Sequence, residues 1–289
     1  MARQPRSLAG KVVVITGGAR GIGAATATAL VAKGARVAIG DLDEELTKRA
    51  AKELGGDTLG LRLDVTDHPG YTAFLDQVER ELGPIDVLVN NAGIMPLALL
   101  DEESDQTTSR QIAINLTAVI HGTREGLVRM KPRRSGHIVN IASVAGKIGA
   151  AGGATYCATK HGVVGLCEAV YYELRSTGVD ISCVMPTIVS TELATGLKQT
   201  RLSSQVAPED VAAAIVDVLQ FPRLEVFVPK YLGGVNRVTR ALPRRVGEWL
   251  LARSGSDALL SSAAHSSARS EYEKRAAESG PAADAEHAS

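Results

Sequence analysis

Short runs rich in Val, Ile and Leu alternate with longer stretches of helical pattern from residue 11 to residue 229. Such near-continuous apolar runs predict strands that are buried on both faces of a parallel sheet. Alternation of strand and helix over this length predicts a doubly wound α/β fold, with seven parallel strands and helices on both faces. The predicted strands are 11–17, 35–41, 58–65, 85–93, 136–143, 179–186 and 224–229. The predicted helices are 22–33, 43–54, 67–82, 102–131, 154–177 and 208–220.

Composition divides the chain into four regions. Residues 1–7 form a short N-terminal arm, and residues 8–232 form the main domain. Residues 233–253 mix apolar residues with arginines and predict an amphipathic extension. Residues 254–289 are rich in Ala, Ser and Glu, so we predict a largely disordered tail, with at best a loose helix over 271–278.

Charge and composition exclude several classes of function. The 32 basic and 32 acidic residues cancel, and aromatic residues make up only 3% of the chain, so nucleic acid is not an expected partner. The three cysteines and six histidines form no metal-ligand motif, so no metal site is predicted. The apolar run near the N-terminus is too short for a signal peptide or a membrane span, so a cytoplasmic location is expected.

A glycine-rich turn, TGGARGIG, follows the first predicted strand and opens the first predicted helix at residues 16–23. Glycines there permit a tight turn and close approach of the backbone to a pyrophosphate, which the helix N-terminus also attracts. Asp41 ends the next strand, where a carboxylate can accept hydrogen bonds from ribose hydroxyls. This combination predicts a Rossmann-type dinucleotide-binding fold.

Tyr156 and Lys160 lie four residues apart in GATYCATKHGVVG, near the start of a predicted helix. Positions i and i+4 share one helix face, so the phenol and the ammonium should lie side by side. A phenol has an ordinary pKa of about 10 and works as an acid-base group at neutral pH only if that pKa is lowered. A nearby positive charge lowers the pKa of a phenol, so the pair is a candidate catalytic unit.

These motifs, together with NNAG at 90–93 and Ser143 in the fifth strand, resemble the classical short-chain dehydrogenase/reductase family. They occur in the family's order, and the resemblance extends from about Leu8 to Pro229. It implies an oxidoreductase that transfers a hydride between a nicotinamide dinucleotide and a CH–OH group.

The resemblance implies a catalytic set made of Asn115, Ser143, Tyr156 and Lys160. Tyr156 would be the general acid or base, and Ser143 would bind the substrate oxygen. Lys160 would lower the pKa of Tyr156 and bind the nicotinamide ribose. Asn115 would hold a water molecule in a proton relay.

The resemblance also implies an extended cofactor site. Asp64 would bind the adenine amino group, and residues 186–191 would hold the nicotinamide amide. Thr187 stands where the family has glycine, and a β-branched residue is costly there if the backbone needs a positive φ. The implied cofactor-binding residues are Gly17, Arg20, Gly21, Ile22, Gly23, Asp41, Asp64, Val65, Asn91, Ala92, Gly93, Tyr156, Lys160, Pro186, Val189 and Thr191.

Two residues give opposite indications about the dinucleotide. Arg20 could pair with the 2′-phosphate of NADP, whereas Asp41 would bind the ribose hydroxyls of NAD and repel that phosphate. Leu42 follows Asp41 in place of an arginine that could offset the repulsion. The prediction is NAD, and an NADP-preferring carbonyl reductase is the alternative.

The expected substrate is a secondary alcohol or ketone on a lipid-, steroid- or retinoid-like body, because the residues expected around it are small or apolar. The loop 190–207 is expected to close over it, with Gly196 as a hinge, and Lys147 is expected nearby. The expected pocket residues are Met95, Pro96, Leu97, Ala145, Ile148, Ala150, Ile188, Leu193 and Leu197.

Three further possibilities concern partners and class. A regulatory protein of the same fold that binds dinucleotide without turnover is the alternative to an enzyme, but it has no need of the catalytic set. The resemblance implies a homodimer or homotetramer. The arginines at 237, 240, 244 and 245 could contact anionic lipid, although a solvated face is the commoner role of such a stripe.

Overall fold

A computed structural model describes residues 4–197, 205–243, 245–246, 260–264 and 266–279. Among these residues, seven parallel strands form one sheet in the order β3-β2-β1-β4-β5-β6-β7, as predicted. The strands are β1 (Val12–Thr16), β2 (Arg36–Asp41), β3 (Leu59–Arg62), β4 (Val87–Asn90), β5 (Gly136–Ile141), β6 (Val179–Pro186) and β7 (Glu225–Val228). The helices are α1 (Gly21–Val31), α2 (Glu44–Leu54), α3 (His68–Leu82), α4 (Asp105–Ile112), α5 (Ala118–Met130), α6 (Ala154–Glu173), α7 (Pro208–Gln220), α8 (Tyr231–Ala241), α9 (Ser261–Ala264) and α10 (Ser270–Glu278).

Each face of the sheet carries its own apolar layer. Alternate residues of a strand point to opposite faces, so Val12 and Val14 pack on one side and Val13 and Ile15 on the other. Helices α3, α5 and α6 cover the first face, and α1, α2 and α7 cover the second. Burying a large apolar side chain contributes about 1.5–3 kcal/mol, so these two layers account for most of the stabilisation.

Several helices begin at side chains that satisfy free backbone N–H groups. Asp43, Asp67 and Ser104 accept from the N–H groups of the first turns of α2, α3 and α4. These residues fix where each helix starts and hence where the preceding loop leaves the sheet edge.

The predicted helix 102–131 is interrupted in the structure. Helix α4 ends at Ile112, a π-helical turn runs from Ala113 to Thr117, and α5 follows. A π turn holds one extra residue per turn and is frequent at functional sites. Periodicity does not reveal such a local insertion, so the sequence predicted one continuous helix.

Both ends of the chain make contacts with the main domain that the sequence does not predict. In the N-terminal arm, Arg6 forms an ion pair with Asp180 at 2.5 Å. Helix α8 begins at Tyr231 and therefore crosses the predicted domain boundary at 232. Within the predicted extension 233–253, residue 244 and residues 247–253 lie outside the described residues. Residues 266–279, for which the sequence allows at best a loose helix over 271–278, contain helix α10 (Ser270–Glu278). They pack on the main domain, because Arg269 and Tyr272 are buried there.

Among the helices that the structure describes, none is both long enough and apolar enough to span a bilayer.

Candidate active site

A cleft of about 1750 Å³ opens at the carboxyl edge of the sheet. From β1 the chain continues to β2 and β3 on one side of the sheet, and from β4 it continues to β5, β6 and β7 on the other side. The cleft therefore lies at the point where the strand order reverses. Ligands of open α/β sheets bind at this position. The predicted residues that line the cleft are Gly17, Arg20, Gly21, Ile22, Asp41, Asp64, Val65, Asn91, Ala92, Gly93, Ser143, Tyr156, Lys160, Pro186, Val189 and Thr191.

The glycine-rich turn needs its glycines for two different reasons. Gly17 has a φ of +62°, which favours glycine. Gly23 lies behind the cleft wall, where a Cβ would stand only 2.1 Å from the Gly17 carbonyl oxygen. The close packing of Gly23 brings the N-terminus of α1 up to the turn, so its free N–H groups face the space that a pyrophosphate would fill.

Asn91 fastens this turn to the end of β4. Its side-chain Nδ2 donates to the carbonyl oxygens of Thr16 and Gly17, both at 2.9 Å. Its backbone N–H donates to the hydroxyl of Thr16 at 3.0 Å. The amide therefore supports the shape of the cofactor loop.

Asp41 stands beside the turn with its carboxylate already oriented. One oxygen accepts from Ala19 N–H at 3.2 Å, and the other accepts from Leu42 N–H at 2.9 Å. Each carboxylate oxygen has a further lone pair for a hydroxyl donor. The free lone pairs suit hydroxyl donors such as those of a ribose.

Arg20 is held by acidic side chains at the mouth of the cleft. Its guanidinium lies 3.4 Å from Glu192 and 3.9 Å from Asp43. Both contacts are exposed and weak, so they restrain Arg20 rather than lock it.

The segment after β6 takes a path that Thr187 tolerates. Among the described residues, only Arg134 and Ser176 have a positive φ without being glycine. Thr187 therefore avoids the strain considered above, and its N–H donates to the Val228 carbonyl at 2.9 Å. Thr191 lies close to the cofactor loop, since a Cβ on Gly21 would be 3.2 Å from its methyl group.

Asn115 lies inside the π turn and is fully buried. Its Oδ1 accepts from Ile94 N–H at 2.8 Å, and its Nδ2 donates to the Ile94 carbonyl at 2.7 Å. Asn115 and Lys160 both lie close to Gly93, because a Cβ atom added to this glycine would stand 3.2 Å from Asn115 Oδ1 and 3.7 Å from Lys160 Nζ. The π turn thus brings the Asn115 amide and the Lys160 ammonium beside the same glycine.

Tyr156 and Lys160 both face the cleft from the first turns of α6. Lys160 Nζ is 5.7 Å from the centre of the Tyr156 ring and donates to the Ile141 carbonyl at 3.0 Å. Ser143 follows β5, and its hydroxyl accepts from Ala145 N–H at 3.1 Å. Burial raises the pKa of Tyr156 to about 12, and a hydrogen bond with Ser143 opposes this rise.

The expected lowering of the tyrosine pKa by Lys160 is therefore not seen in the protein alone. Burial raises the pKa of Tyr156 and lowers that of Lys160 to about 8. A lowered tyrosine pKa would need positive charge in addition to that of Lys160.

The substrate end of the cleft is apolar. Met95, Leu97, Tyr156, Ala194 and Leu197 form one buried cluster there. Lys147 lies away from this end, buried between Glu168 at 3.0 Å and Glu225 at 2.8 Å. Residues 198–204 of the predicted closing loop lie outside the described residues. The predicted pocket residues that line the cleft are Met95, Ala145, Ile148, Ala150, Ile188, Leu193 and Leu197; Pro96 and Leu97 do not, although Leu97 packs in the adjoining cluster.

Sequence reasoning missed the contribution of the C-terminal segment to this site. Leu260 and Ala263 belong to the cluster around Tyr156, and Tyr272 lines the cleft. The small, polar composition of residues 254–289 hid these contacts. An isolated Tyr and Arg in an Ala/Ser-rich stretch were the only available signal.

The short chain dehydrogenase family profile matches residues 11–202, so the chain belongs to the short-chain dehydrogenase/reductase family. The 2,5-dichloro-2,5-cyclohexadiene-1,4-diol dehydrogenase LinX of Sphingobium indicum is 36% identical over 69% of this chain and 81% of its own length. The D-threitol dehydrogenase of Mycolicibacterium smegmatis is 39% identical over 72% of this chain and 85% of its own length.

A solved structure shares the fold. The short chain dehydrogenase/reductase from Burkholderia phymatum, crystallised in complex with NAD, superposes with a TM-score of 0.75. The two chains are 27% identical, with 82% of this chain and 95% of that chain covered. The chain is thus an oxidoreductase of a family whose similar members include dehydrogenases of CH–OH groups.

Proposed function

We propose that this protein is an NAD(H)-dependent dehydrogenase that interconverts a secondary alcohol and a ketone on an apolar, ring-sized or larger substrate. The observation that carries the proposal is the position of Ser143, Tyr156 and Lys160. All three line one cleft, between the half that contains the predicted dinucleotide-binding residues and the apolar half.

The chain's own residues can accept and donate the proton that leaves or joins the substrate oxygen. The Tyr156 hydroxyl would take the proton of a bound alcohol during oxidation and return it during reduction. Ser143, hydrogen-bonded to Tyr156, would hold the substrate oxygen beside the phenol. A nicotinamide dinucleotide, when bound, supplies the hydride acceptor or donor.

Lys160 would have two tasks in this arrangement. Its ammonium would stabilise the tyrosinate and would donate to ribose hydroxyls at the cleft floor. Because Asn115 binds the backbone of Ile94 and lies with Lys160 beside Gly93, we assign it the support of the lysine and of any relay next to it.

Preference for NAD is supported by charge. Asp41, Asp43 and Glu192 surround Arg20, so the region around a ribose 2′-position is acidic on balance. The similar structure from Burkholderia phymatum contains NAD.

Preference for an apolar substrate is supported by the wall of the cleft. The cluster of Met95, Leu97, Ala194, Leu197 and Leu260 offers no charged side chain to a substrate. The names of the relatives include a ring diol and a linear polyol, so the substrate class rests on the cleft of this chain.

The test is turnover by Tyr156→Phe. With cyclohexanol and a 3-hydroxysteroid offered with NAD and with NADP, the unmodified enzyme should oxidise at least one of these secondary alcohols. Loss of the acid-base group should lower kcat about 10²–10⁴-fold. The dissociation constant for NADH should stay nearly unchanged.

Tyr172→Phe is the matched control, because Tyr172 is an exposed tyrosine on the same helix. Near-normal turnover by Tyr156→Phe would contradict the mechanism. Binding of NADH without turnover of any alcohol or ketone would favour the non-catalytic alternative.

A further inference from the structure

The C-terminal segment, residues 260–264 and 266–279, lies outside the family-matched residues 11–202 and covers the apolar end of the cleft. Its residues Leu260, Tyr272 and Ala276 line the same cavity as Tyr156. Gly152 and Gly153 make room for it, since a Cβ on Gly152 would be 2.7 Å from the Ser261 backbone. Helix α6, which carries Tyr156, begins directly after these glycines.

Arg269 anchors this segment. It is 1% exposed, and its guanidinium donates to the carbonyls of Leu193 at 2.9 Å, Thr195 at 2.8 Å and Met95 at 2.7 Å. Its Nε donates to Glu273 at 3.0 Å. A guanidinium has five N–H donors in a fixed plane, so one side chain ties two loops of the cleft to the C-terminal helix.

The loop after β4 depends on the same segment for its backbone. Met95 N–H donates to the Tyr272 hydroxyl at 2.7 Å, while its carbonyl accepts from Arg269. Both polar backbone groups of the buried Met95 are therefore satisfied by residues of the C-terminal segment. Unpaired buried backbone groups are costly, so removing the segment would leave this loop unsupported.

We propose that residues 260–264 and 266–279 form the roof of the substrate pocket, that Arg269 holds the roof in place, and that Leu260 sets the size of alcohol that fits beneath it. This proposal rests on the proposed function, because it assigns the apolar end of the cleft to the substrate. Arg269 is a positioning residue, since it acts through Met95, Leu193 and Thr195.

The roof is suited to selecting by size. Leu260 packs in one cluster with Met95, Leu97 and Tyr156, so its side chain borders the place where a substrate carbon would meet the phenol. Protein interiors are close-packed, so a larger side chain here removes volume from the pocket. A change at Leu260 would therefore alter kcat/KM for bulky alcohols relative to small ones. It would leave the affinity for the dinucleotide unchanged.

The anchor is tested by Arg269→Met in the full-length chain. We expect amide hydrogen exchange in peptides covering 93–98 and 190–197 to accelerate by about tenfold or more, because local opening becomes easier. Arg269→Lys should restore part of the protection. Lys274→Met, an exposed charge on α10, the helix that follows Arg269, should leave exchange unchanged. Unchanged exchange in Arg269→Met would overturn the anchor.

Selection is tested by comparing Leu260→Trp with Leu260→Ala. The ratio of kcat/KM for a 3-hydroxysteroid to that for cyclohexanol should be about tenfold or more lower in the Trp variant, mainly through KM. The dissociation constant for NADH should agree within about threefold, which also reports folding. Equal ratios in folded variants would overturn the role of Leu260.

Failure of the proposed function and failure of the roof proposal would give different results. If the unmodified enzyme oxidises no alcohol with either dinucleotide, the proposed function is wrong, and the substrate role of the roof falls with it. If the enzyme is active but the selectivity ratio and the exchange rates do not respond, only the roof is wrong.

Discussion

Asp41 shows how one side chain can decide between two cofactors at the residue scale. Two backbone N–H groups fix its carboxylate, and Arg20, the predicted partner of a 2′-phosphate, contacts Glu192 and Asp43. Two like unit charges ~4 Å apart repel by about 4 kcal/mol at an effective dielectric of 20. This repulsion exceeds what an exposed arginine restores, about 0–1 kcal/mol.

Asp41→Ser should therefore shrink the preference for NAD. We expect the unmodified enzyme to favour NAD over NADP by about tenfold to a thousandfold in kcat/KM, and the variant to lose most of that factor. Adding Leu42→Arg should move the preference toward NADP. Steady-state kinetics with both cofactors measure the ratio, and faster turnover of NADPH than NADH by the unmodified enzyme would show that Arg20 dominates.

Lys160 is a second residue whose surroundings oppose its charge. It is 4% exposed, and burial lowers its pKa from 10.5 to about 8. The unfolded chain thus holds the proton more tightly than the folded chain. The resulting loss of stability is full below about pH 8, declines as pH rises, and vanishes above 10.5.

Lys160→Met should stabilise the fold while it abolishes turnover. The lowered pKa corresponds to a cost on the order of 3 kcal/mol at pH 7, from which an unpaired Ile141 carbonyl subtracts about 1–3 kcal/mol. We expect a raised midpoint of urea unfolding at pH 7 and a smaller difference at pH 10. A lower midpoint for the variant at pH 7 would show that burial of the Lys160 ammonium does not destabilise the fold.

At the scale of elements, strand β5 contains a buried titratable group away from the cleft. His137 pairs with Ser182 at 2.8 Å, and Ser182 donates to the Arg223 carbonyl, so the histidine Nε2 must be the donor in their contact. Its Nδ1 is buried without a partner in the part of the chain that the structure describes. Burial lowers the pKa of His137 from 6.5 to about 4.

This histidine should make the fold sensitive to mild acid. The unfolded chain takes up the proton below pH 6.5 and the folded chain only near 4, so stability is lost as pH falls through that window. Between pH 7 and pH 5 the unmodified protein should lose about 2 kcal/mol more than His137→Gln in urea unfolding. His161→Gln, on the exposed side of α6, is the control, and equal pH dependence for all three proteins would contradict the assignment.

The whole molecule presents apolar side chains on the helices that cover one face of the sheet. Ile120 and Val128 of α5 are 43% and 63% exposed, and Tyr172 of α6 is 62% exposed. Exposed apolar groups of this extent favour a protein interface. Because α5 and α6 lie beside each other, a two-fold axis could bury them together.

We therefore expect a homodimer, or a homotetramer built on that dimer, at micromolar concentration. Ile120→Glu combined with Val128→Glu should give a monomer that still binds NADH, because neither residue belongs to the cleft. Val238→Glu introduces the same charge at an exposed position on α8 and should leave the assembly intact. Analytical ultracentrifugation measures the mass, and a monomeric unmodified protein would refute the expectation.

The sequence by itself determined the strands, their parallel arrangement, the cofactor turn and the shared face of Tyr156 and Lys160. These features depend on local pattern, because alternation, glycine position and i,i+4 spacing are properties of contiguous residues. The positions of Asp41 and Ser143 followed from the strands that end beside them.

Only the tertiary structure decided the π turn at Asn115, the ordinary backbone of Thr187, the raised pKa of Tyr156 and the docking of the C-terminal segment. Each depends on contacts between distant parts of the chain: Arg269 reaches Met95 across 174 residues. Burial, and with it the direction of a pKa shift, is a property of the assembled packing. An Ala/Ser-rich segment has too little apolar surface to order itself, and it orders here because the domain supplies buried carbonyls that its arginine can satisfy.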